Sequence, residues 1–366
     1  YYIDVPTNYT LVIGQTVNGY DSENTVFYGS TCPGTTQIAC YDDPDVQNVT
    51  WLNNTGSAQR VYWVQDGFSG STNFGTFTLQ WSLTPPPIVV TSFAPTAVCS
   101  ADLATSVITL TGSNFTGATD VKLNGVSHTF TVVNDTTITV NLTATSTAGT
   151  FVVYNAVTSG TNSTSLTINT NPTVDPINGG GVTELCAPNT LALTDNTAAG
   201  VWSSSNTAVA TVDSAGLVTG VAEGTVVISY TVTDNGCSTS ATYNINVKNP
   251  VNITTQPAPQ IILTGANASF SVAATGTGIT YQWQENTGSG FANVTDGGVY
   301  SGATTNSLTI TGATAGMNGY EYQCVVTGTS PCAPSTSNSA LLTVSNTGIS
   351  SHPSNVNLCD SGTATF

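Results

Sequence analysis

The chain has 366 residues, of which 39% are hydrophobic and only 6% charged, so it is long enough for three or four domains of about 90 residues each. Its net charge is −17, with Arg60, Lys122 and Lys248 as the basic residues. Phosphate binding needs clustered Lys and Arg, so nucleic acid and anionic membrane surfaces are excluded as partners. No apolar run approaches the roughly 18–20 residues that span a bilayer, so we expect no membrane insertion.

Apolar and polar residues alternate with a period of two along most of the chain. Examples are "FTLQWSL" (77–83), "VITL" (107–110) and "LTI" (308–310). Such runs are rich in β-branched and aromatic residues and are separated by Gly, Asn, Asp and Ser, which is typical of short antiparallel strands. The pattern predicts an all-β protein made of tandem β-sandwiches.

Proline-rich stretches divide the chain. They are "LTPPPIVV" (83–90), "NTNPTVDP" (169–176), "VKNPVNITTQPAP" (247–259) and "VSNTGISSHPS" (344–354). We therefore predict domains over residues 1–86, 87–171, 172–249 and 250–346.

An internal repeat predicts a fifth, truncated domain. "TQPAPQIILTGANASF" (255–270) aligns without a gap with "SHPSNVNLCDSGTATF" (351–366), so that Pro257 matches Pro353 and Phe270 matches Phe366. We expect a further repeat over 347–366 and a longer parent protein with tandem architecture.

Residues 250–346 resemble a bacterial immunoglobulin-like (Ig-like) domain. "YQW" (281–283) supplies the Trp of a central strand, and "GYEYQC" (319–324) supplies a Tyr two residues before a Cys. The resemblance implies that Tyr322 is the tyrosine of the corner motif. Phe270 and Val272 stand on the strand that would carry the other half-cystine, which leaves Cys332 as the partner expected for Cys324.

Residues 172–249 resemble the group 2 bacterial Ig-like repeat. The matching stretch is "VWSSSNTAVATVDSAGLVTGVAEGTVVISYTV" (201–232). We expect Val226 and Ile228 to face one side of a strand and the hydroxyls of residues 203–205 to be loop and edge groups rather than an active site.

Residues 87–171 resemble the IPT/TIG type of Ig-like fold. The motifs, in order, are "SFAPT" (92–96), "ITLTGSNF" (108–115), "VKLNGV" (121–126) and "VVNDTTITVNL" (132–142). The resemblance implies a turn at Gly112 and Asn114 before Phe115 enters the core. It implies a fold rather than an activity.

Residues 1–86 are similar to the pre-peptidase C-terminal-like sandwiches that follow secreted bacterial peptidases and adhesins. The similar segments are residues 24–43 and 74–83. Asp42, Asp43 and Asp45 crowd one predicted loop and are candidate calcium ligands, because hard cations bind several oxygens. The alternative is a solvated acidic turn, since no DxDxDG loop is present; no other cofactor is expected.

The eight cysteines predict disulfides and an oxidising, extracellular location. We expect Cys32–Cys40 and Cys324–Cys332 to close short loops, and Cys186–Cys237 to join the first and last strands of one domain. Zinc is the alternative, but the CxxC and His spacings of zinc sites are missing. Cys99 is expected to be either a buried thiol or an intermolecular bridge, and Cys359 to pair within its own domain.

The residues that enzymes need are scarce. Only His128 and His352 can act as histidine bases, and the setting of His128 in "GVSHTF" indicates a half-exposed strand residue. Lys122 and Lys248 do not lie beside a serine motif. We therefore predict that the chain is not an enzyme.

The whole mixture resembles giant surface proteins of Bacteroidota that the type IX system exports. The resemblance implies a structural segment of an extracellular, cell-surface fibre that assembles with copies of itself, and O-glycosylation at Thr136 in "DTT" and Ser214 in "DSA". One alternative is an adhesin whose first domain binds glycan or a cell surface through Trp51, Tyr62 and Trp63, unless these are core residues. Another is a non-catalytic stalk of a secreted hydrolase.

Overall fold

The structure is a computed structural model that describes residues 1–20, 22–32, 34–42, 46–67 and 75–346. Contacts divide the chain into two compact units. The first contains residues 1–171 and the short segment 235–237, and the second contains 172–234 and the residues from 238 onward. The predicted all-β class is confirmed, and no helix in the described ranges is long and apolar enough to cross a membrane. The expected fifth repeat, with Cys359 and His352, lies outside the described residues.

The first sandwich lies in the first unit and consists of one four-stranded and one three-stranded sheet, ordered β1-β6-β3-β4 and β5-β2-β7. Its strands are β1 (Tyr2–Val5), β2 (Thr10–Asn18), β3 (Ser22–Tyr28), β4 (Thr36–Tyr41), β5 (Asn48–Leu52), β6 (Gln59–Gly67) and β7 (Phe77–Thr84). Apolar residues at alternating positions, such as Leu11 and Ile13 of β2, meet Val61 and Trp63 of β6 in the core.

The second sandwich, also in the first unit, has two four-stranded sheets, β13-β14-β10-β8 and β12-β11-β15-β16, and a two-stranded ladder, β17-β9. The strands are β8 (Val89–Ala94), β9 (Ala97–Cys99), β10 (Val107–Ser113), β11 (Asp120–Leu123), β12 (Val126–Ser127), β13 (Phe130–Asn134), β14 (Thr137–Asn141), β15 (Phe151–Tyr154), β16 (Ser159–Thr161) and β17 (Thr167–Asn169), with a 3-10 helix over Ser100–Thr105. Phe115 is fully buried in this core, as predicted, and Asn114 before it adopts φ 63°.

The third sandwich, in the second unit apart from the turn at 235–237, has sheets ordered β18-β24-β23-β20 and β19-β22-β21. The strands are β18 (Glu184–Cys186), β19 (Thr190–Ala192), β20 (Val201–Ser204), β21 (Ala210–Val212), β22 (Leu217–Gly220), β23 (Gly224–Asp234) and β24 (Cys237–Lys248). Val226 and Ile228 of β23 are buried and Val227 between them is half-buried, which is the predicted alternation.

The fourth sandwich lies in the second unit. Its sheets are β25-β28, β27-β32-β31 and β26-β35-β33-β29-β30, with β34 paired to β33. The strands are β25 (Asn252–Thr255), β26 (Gln260–Leu263), β27 (Ala268–Ser271), β28 (Ala273–Thr275), β29 (Thr280–Asn286), β30 (Phe291–Asn293), β31 (Tyr300–Ser301), β32 (Ser307–Ile310), β33 (Glu321–Thr327), β34 (Ser335–Thr336) and β35 (Ala340–Ser345), with a 3-10 helix over Ala315–Met317. Trp283 of β29 is fully buried, as the sequence predicts for a central-strand Trp.

One topological element recurs in the second, third and fourth sandwiches. A short early strand pairs in parallel with the last strand of the same sandwich, as β9 with β17, β18 with β24 and β26 with β35. The residue at the end of this ladder is Cys99 opposite Asn169, Cys186 opposite Lys248, and Leu263 opposite Ser345. Two of the three equivalent positions therefore carry a cysteine.

Candidate functional site

Two disulfides are the main covalent feature of the described residues, and both use the ladder-end cysteines. Cys99 bonds to Cys237, with 5.6 Å between the Cα atoms, and Cys186 bonds to Cys332, with 5.2 Å. They span 138 and 146 residues of sequence, respectively. Each bond thus connects one sandwich to the following one. The second cysteine of each bond comes shortly after a long strand, Cys237 after β23 and Cys332 after β33.

The predicted pair Cys186–Cys237 is wrong. Cys237 is the first residue of β24, whereas Cys186 pairs with Lys248, the last residue of that strand. The two cysteines therefore lie at opposite ends of a strand of 12 residues, far beyond the Cα separation that a disulfide allows.

The predicted pair Cys324–Cys332 is also wrong. Cys324 lies on β33 opposite Trp283 of β29, and its thiol is buried in the core, where desolvation raises its pKa to about 11. Cys332 lies in the loop after β33, and its Sγ is 3.8 Å from the carbonyl oxygen of Lys248. One cysteine thus faces inward and the other faces the preceding sandwich, so proximity in sequence does not bring their sulfur atoms together.

Cys32 and Cys40 are free, exposed thiols rather than the predicted short-loop disulfide. Cys40 lies on β4 opposite Thr25, and its Sγ is 3.4 Å from Oε1 of Glu23. Cys99 is neither a buried thiol nor a bridge to another chain, because Cys237 is its partner.

The candidate calcium ligands are only partly visible. Asp42 is exposed, and Asp43 and Asp45 lie outside the described residues. Within the ranges that the structure describes, no group of three or more His, Cys, Asp or Glu side chains is arranged to hold a metal ion. The calcium site stays a prediction.

The three aromatic residues predicted to bind a glycan are not free surface groups. Tyr62 and Trp63 are 8% and 2% exposed, and Trp63 belongs to the core of the first sandwich. Trp51 is half-buried and stacks on Tyr28, with 5.0 Å between ring centroids. For Tyr62 and Trp63, the alternative that they are core residues is the correct one.

Other aromatic residues of the first sandwich are exposed and lie together. Tyr1, Tyr2 and Trp81 are 76%, 62% and 58% exposed. They line a surface cavity of about 400 Å³, which we call the aromatic cavity and whose other lining residues are Ile3, Ile13, Phe77, Thr78 and Leu79.

The rings of the aromatic cavity are held in place by neighbours. Tyr1 packs edge-on against Phe77, with centroids 5.6 Å apart. The guanidinium of Arg60 lies 4.3 Å from the ring centroid of Tyr2 and is paired with Asp4 at 2.7 Å. The hydrogen bond from Arg60 lowers the pKa of the Asp4 carboxyl.

The predicted O-glycosylation sites are exposed turn residues. Thr136 follows Asn134, whose side-chain oxygen accepts hydrogen bonds from the backbone N–H and hydroxyl of Thr136. Ser214 lies in the turn after Asp213, whose carboxylate accepts two backbone N–H groups. Both hydroxyls are at the surface, and their modification stays a prediction.

One pair resembles part of a catalytic triad. His128 is buried, its Nε2 lies 2.7 Å from Ser146 Oγ, and its Nδ1 lies 2.8 Å from the carbonyl oxygen of Val126. A carbonyl can only accept, so Nδ1 carries the hydrogen and Nε2 accepts from the serine. Ser146 Oγ also accepts a hydrogen bond from the backbone N–H of Thr143 at 2.9 Å. This hydroxyl therefore stabilises the turn between the two residues. His128 is thus more buried than its setting in "GVSHTF" predicts, and no motif in the sequence pointed to Ser146.

The hydroxyls of the group 2-like stretch have structural partners as well. Ser204 donates to the carbonyl oxygen of Ala210 at 2.7 Å, and Ser205 Oγ accepts the backbone N–H of Val227 at 2.9 Å. These bonds hold the segment between β20 and β21 against β23. The expectation that they are loop and edge groups agrees with this arrangement.

A second polar cluster lies in the fourth sandwich. Tyr300 donates its phenolic hydrogen to Glu285 and lies 3.1 Å from the hydroxyl of Tyr322, which is fully buried. Desolvation raises the pKa of Tyr322 to about 12 and, together with the bond to Glu285, raises that of Tyr300. The hydroxyl of Tyr322, the residue predicted for the corner motif, therefore lies against the hydroxyl of another tyrosine.

Comparisons with known proteins agree with this fold. Residues 166–243 match the family model of the bacterial Ig-like domain (group 2), which is the type predicted for the third domain. The chain is a tandem array of Ig-like sandwiches. No curated protein sequence matches it.

Several solved structures of Ig-domain arrays are similar at low identity. An I-band fragment, I67–I69, of titin is 14% identical, with 71% of this chain and 96% of that chain covered and a TM-score of 0.37. Extracellular domains 3–5 of Drosophila OTK are 12% identical, with 72% and 99% covered and a TM-score of 0.35. The N-terminal eight Ig domains of Down syndrome cell adhesion molecule are 10% identical, with 94% and 47% covered and a TM-score of 0.39.

Proposed function

We propose that this chain is a structural segment of a large extracellular bacterial surface fibre, assembled from copies of itself and exported by a type IX system. The supporting observation is the pair of disulfides, each of which joins one sandwich to the next. Disulfides persist in oxidising compartments, and cross-links between successive domains stabilise a tandem array against separation of its parts.

The polar clusters are consistent with a structural role. In His128–Ser146 and in Tyr300–Glu285–Tyr322 the donors and acceptors bond to one another within a sandwich. The acidic surface, with a net charge of −17, limits nonspecific association.

Electron microscopy of the producing cells tests the fibre. Gold-labelled antibody raised against this chain is expected to decorate a filament along its length at regular intervals. Label confined to a dispersed, secreted monomer would contradict the proposal. A second antibody against an outer-surface protein of the same cells controls for access to the surface.

We propose adhesion as a second function, because the aromatic cavity exposes Trp81, Tyr1 and Tyr2 on the first sandwich. Exposed aromatic rings stack on the apolar faces of sugars. The Tyr hydroxyl and the Trp N–H remain available for hydrogen bonds with the sugar hydroxyls. Arg60 is the basic residue beside the cavity and is already paired with Asp4, which favours a neutral glycan over an anionic one.

A glycan array probed with the full chain tests adhesion. Trp81→Ala is expected to abolish the binding of neutral oligosaccharides. Leu52→Ala is the matched control, since Leu52 is 51% exposed on β5, the opposite edge strand of the same sheet, and does not line the cavity. Equal binding by both variants, or no binding by the unmodified chain, would overturn this second function.

A further inference from the structure

The two disulfides overlap along the sequence. The order of the four cysteines is Cys99, Cys186, Cys237, Cys332, and the bonds join the first to the third and the second to the fourth. We call Cys99–Cys237 and Cys186–Cys332 the interlaced disulfides. When two disulfide loops overlap in this way, the shortest covalent path along the chain crosses both bonds. The effect of removing one bond on the length of that path therefore depends on whether the other bond is present.

We infer that the interlaced disulfides limit how far the chain can extend under tension. Between Cys99 and Cys332 the backbone contains about 230 residues, which would reach about 800 Å when fully extended. With both bonds intact the shortest covalent route crosses from Cys99 to Cys237, returns along the backbone to Cys186, and crosses to Cys332. This route contains about 50 residues and extends to about 170 Å.

The sandwich that lies on the short route is the third one. Load enters it at Cys237, the first residue of β24, and leaves it at Cys186, whose ladder partner Lys248 is the last residue of β24. Tension is therefore applied along the length of β24. Its ladders with β18 and β23 are loaded along the strands, so that many hydrogen bonds share the load.

The placement of the cysteines is systematic. Cys99 and Cys186 occupy the same ladder-end position in successive sandwiches, and both partners follow the next-to-last long strand of the following sandwich. Leu263 holds this position in the fourth sandwich and is exposed. Among the residues that the structure describes, the extension limit therefore applies to residues 99–332.

The limit itself follows from covalent connectivity, and its use in a load-bearing fibre rests on the function proposed above. Single-molecule stretching of the full chain, tethered at both ends, measures the limit. Four proteins are compared without reductant: the unmodified chain, Cys237→Ser, Cys332→Ser and the double variant. Peptide mapping without reduction first verifies which bonds each protein contains.

The expected lengths are strongly non-additive. Removing one bond lengthens the shortest route by about 40 residues, so each single variant gains about 120–150 Å at full extension. The double variant gains about 600 Å, more than twice the sum of the single gains. Reductant is expected to add the same 600 Å or so to the unmodified chain.

The contour length depends on connectivity and not on stability, so a destabilised variant still gives a valid reading. Gains that simply add, as for the non-overlapping pairs Cys186–Cys237 and Cys324–Cys332, would overturn the inference. So would equal lengths with and without reductant. A filament missing from the cells would contradict the proposed fibre and leave this length measurement unaffected.

Discussion

Ser146 donates its hydroxyl hydrogen to Nε2 of His128 over 2.7 Å, and this bond lies inside the second sandwich. The geometry resembles a nucleophile with its base, but the serine oxygen also accepts the backbone N–H of Thr143. A hydroxyl held between a turn and a buried ring stabilises the fold. The arrangement therefore predicts an effect of substitution on stability and not on turnover.

Ser146→Ala is expected to lower the free energy of unfolding by about 1–3 kcal/mol, because it leaves Nε2 of a buried imidazole and one backbone N–H without partners. Urea unfolding monitored by circular dichroism measures the change. Thr145→Ala, an exposed hydroxyl one position earlier, is the control and is expected to stay within about 0.5 kcal/mol. An esterase or peptidase activity that Ser146→Ala removes would refute the structural role.

Some of the fold could be predicted from sequence because local patterns determine it. The stretch from Val201 to Val232 identified the group 2 Ig-like domain, and the resemblance of "YQW" and "GYEYQC" to an Ig-like core placed Trp283 on a central strand. The alternation "FTLQWSL" predicts a strand but does not indicate that Trp81 is exposed, which follows from the position of β7 as an edge strand whose apolar face is only partly covered. A period of two identifies the faces of a strand but does not say how far each is buried.

Disulfide pairing could not be predicted in the same way. Eight cysteines allow 105 complete pairings, and spacing along the chain favours short loops. The actual bonds join the end of a parallel ladder to the next sandwich, a relationship that depends on the register of β9 and β18. Strand alternation contains no information about that register.

Peptide mapping without reduction provides a direct check of the pairing. We expect linked peptides that contain Cys99 with Cys237 and Cys186 with Cys332. Native alkylation is expected to label Cys32 and Cys40, which are exposed, and to label Cys324 only after denaturation. A linked Cys186–Cys237 or Cys324–Cys332 peptide in the native chain would contradict the pairing of Cys99 with Cys237 and of Cys186 with Cys332.

Gly112 is expected to be the glycine of the second sandwich that tolerates substitution least. It lies at the register shift between β10 and β8, where an added Cβ would be 1.9 Å from the carbonyl oxygen of Val89 and 2.6 Å from the Phe115 ring. Gly112→Ala must push β8 away or displace Phe115, at an expected cost of about 3 kcal/mol.

Gly125→Ala is the matched control for that substitution. Gly125 has φ +82° and open space around it, so only backbone strain of about 1 kcal/mol is expected. Thermal unfolding of both variants measures the difference. Equal destabilisation by the two substitutions would contradict the prediction, because it would show that β8 moves at this register shift with little loss of free energy.

Alkaline pH is expected to destabilise the fourth sandwich through groups that stay protonated in its core. Burial raises the pKa of Tyr322 to about 12 and that of the Cys324 thiol to about 11, and the pKa of Tyr300 is raised as well. Below about pH 7 these groups are protonated in both the folded and the unfolded chain and cause no pH dependence. As the pH rises further the unfolded chain loses its protons first, so the folded state binds more protons and stability falls.

Denaturant unfolding at a series of pH values between about 8 and 12 measures this loss, and each such group contributes at most about 1.4 kcal/mol per pH unit. The transition of the fourth sandwich is identified as the tryptophan fluorescence change that Trp283→Phe removes. Tyr322→Phe is expected to flatten the pH dependence, because the substituted ring has no proton to lose, while Tyr281→Phe, a half-buried tyrosine of the same sandwich, serves as the control. A dependence on pH that is equally steep in Tyr322→Phe and in the unmodified chain would mean that Tyr322 is not among the groups that burial keeps protonated.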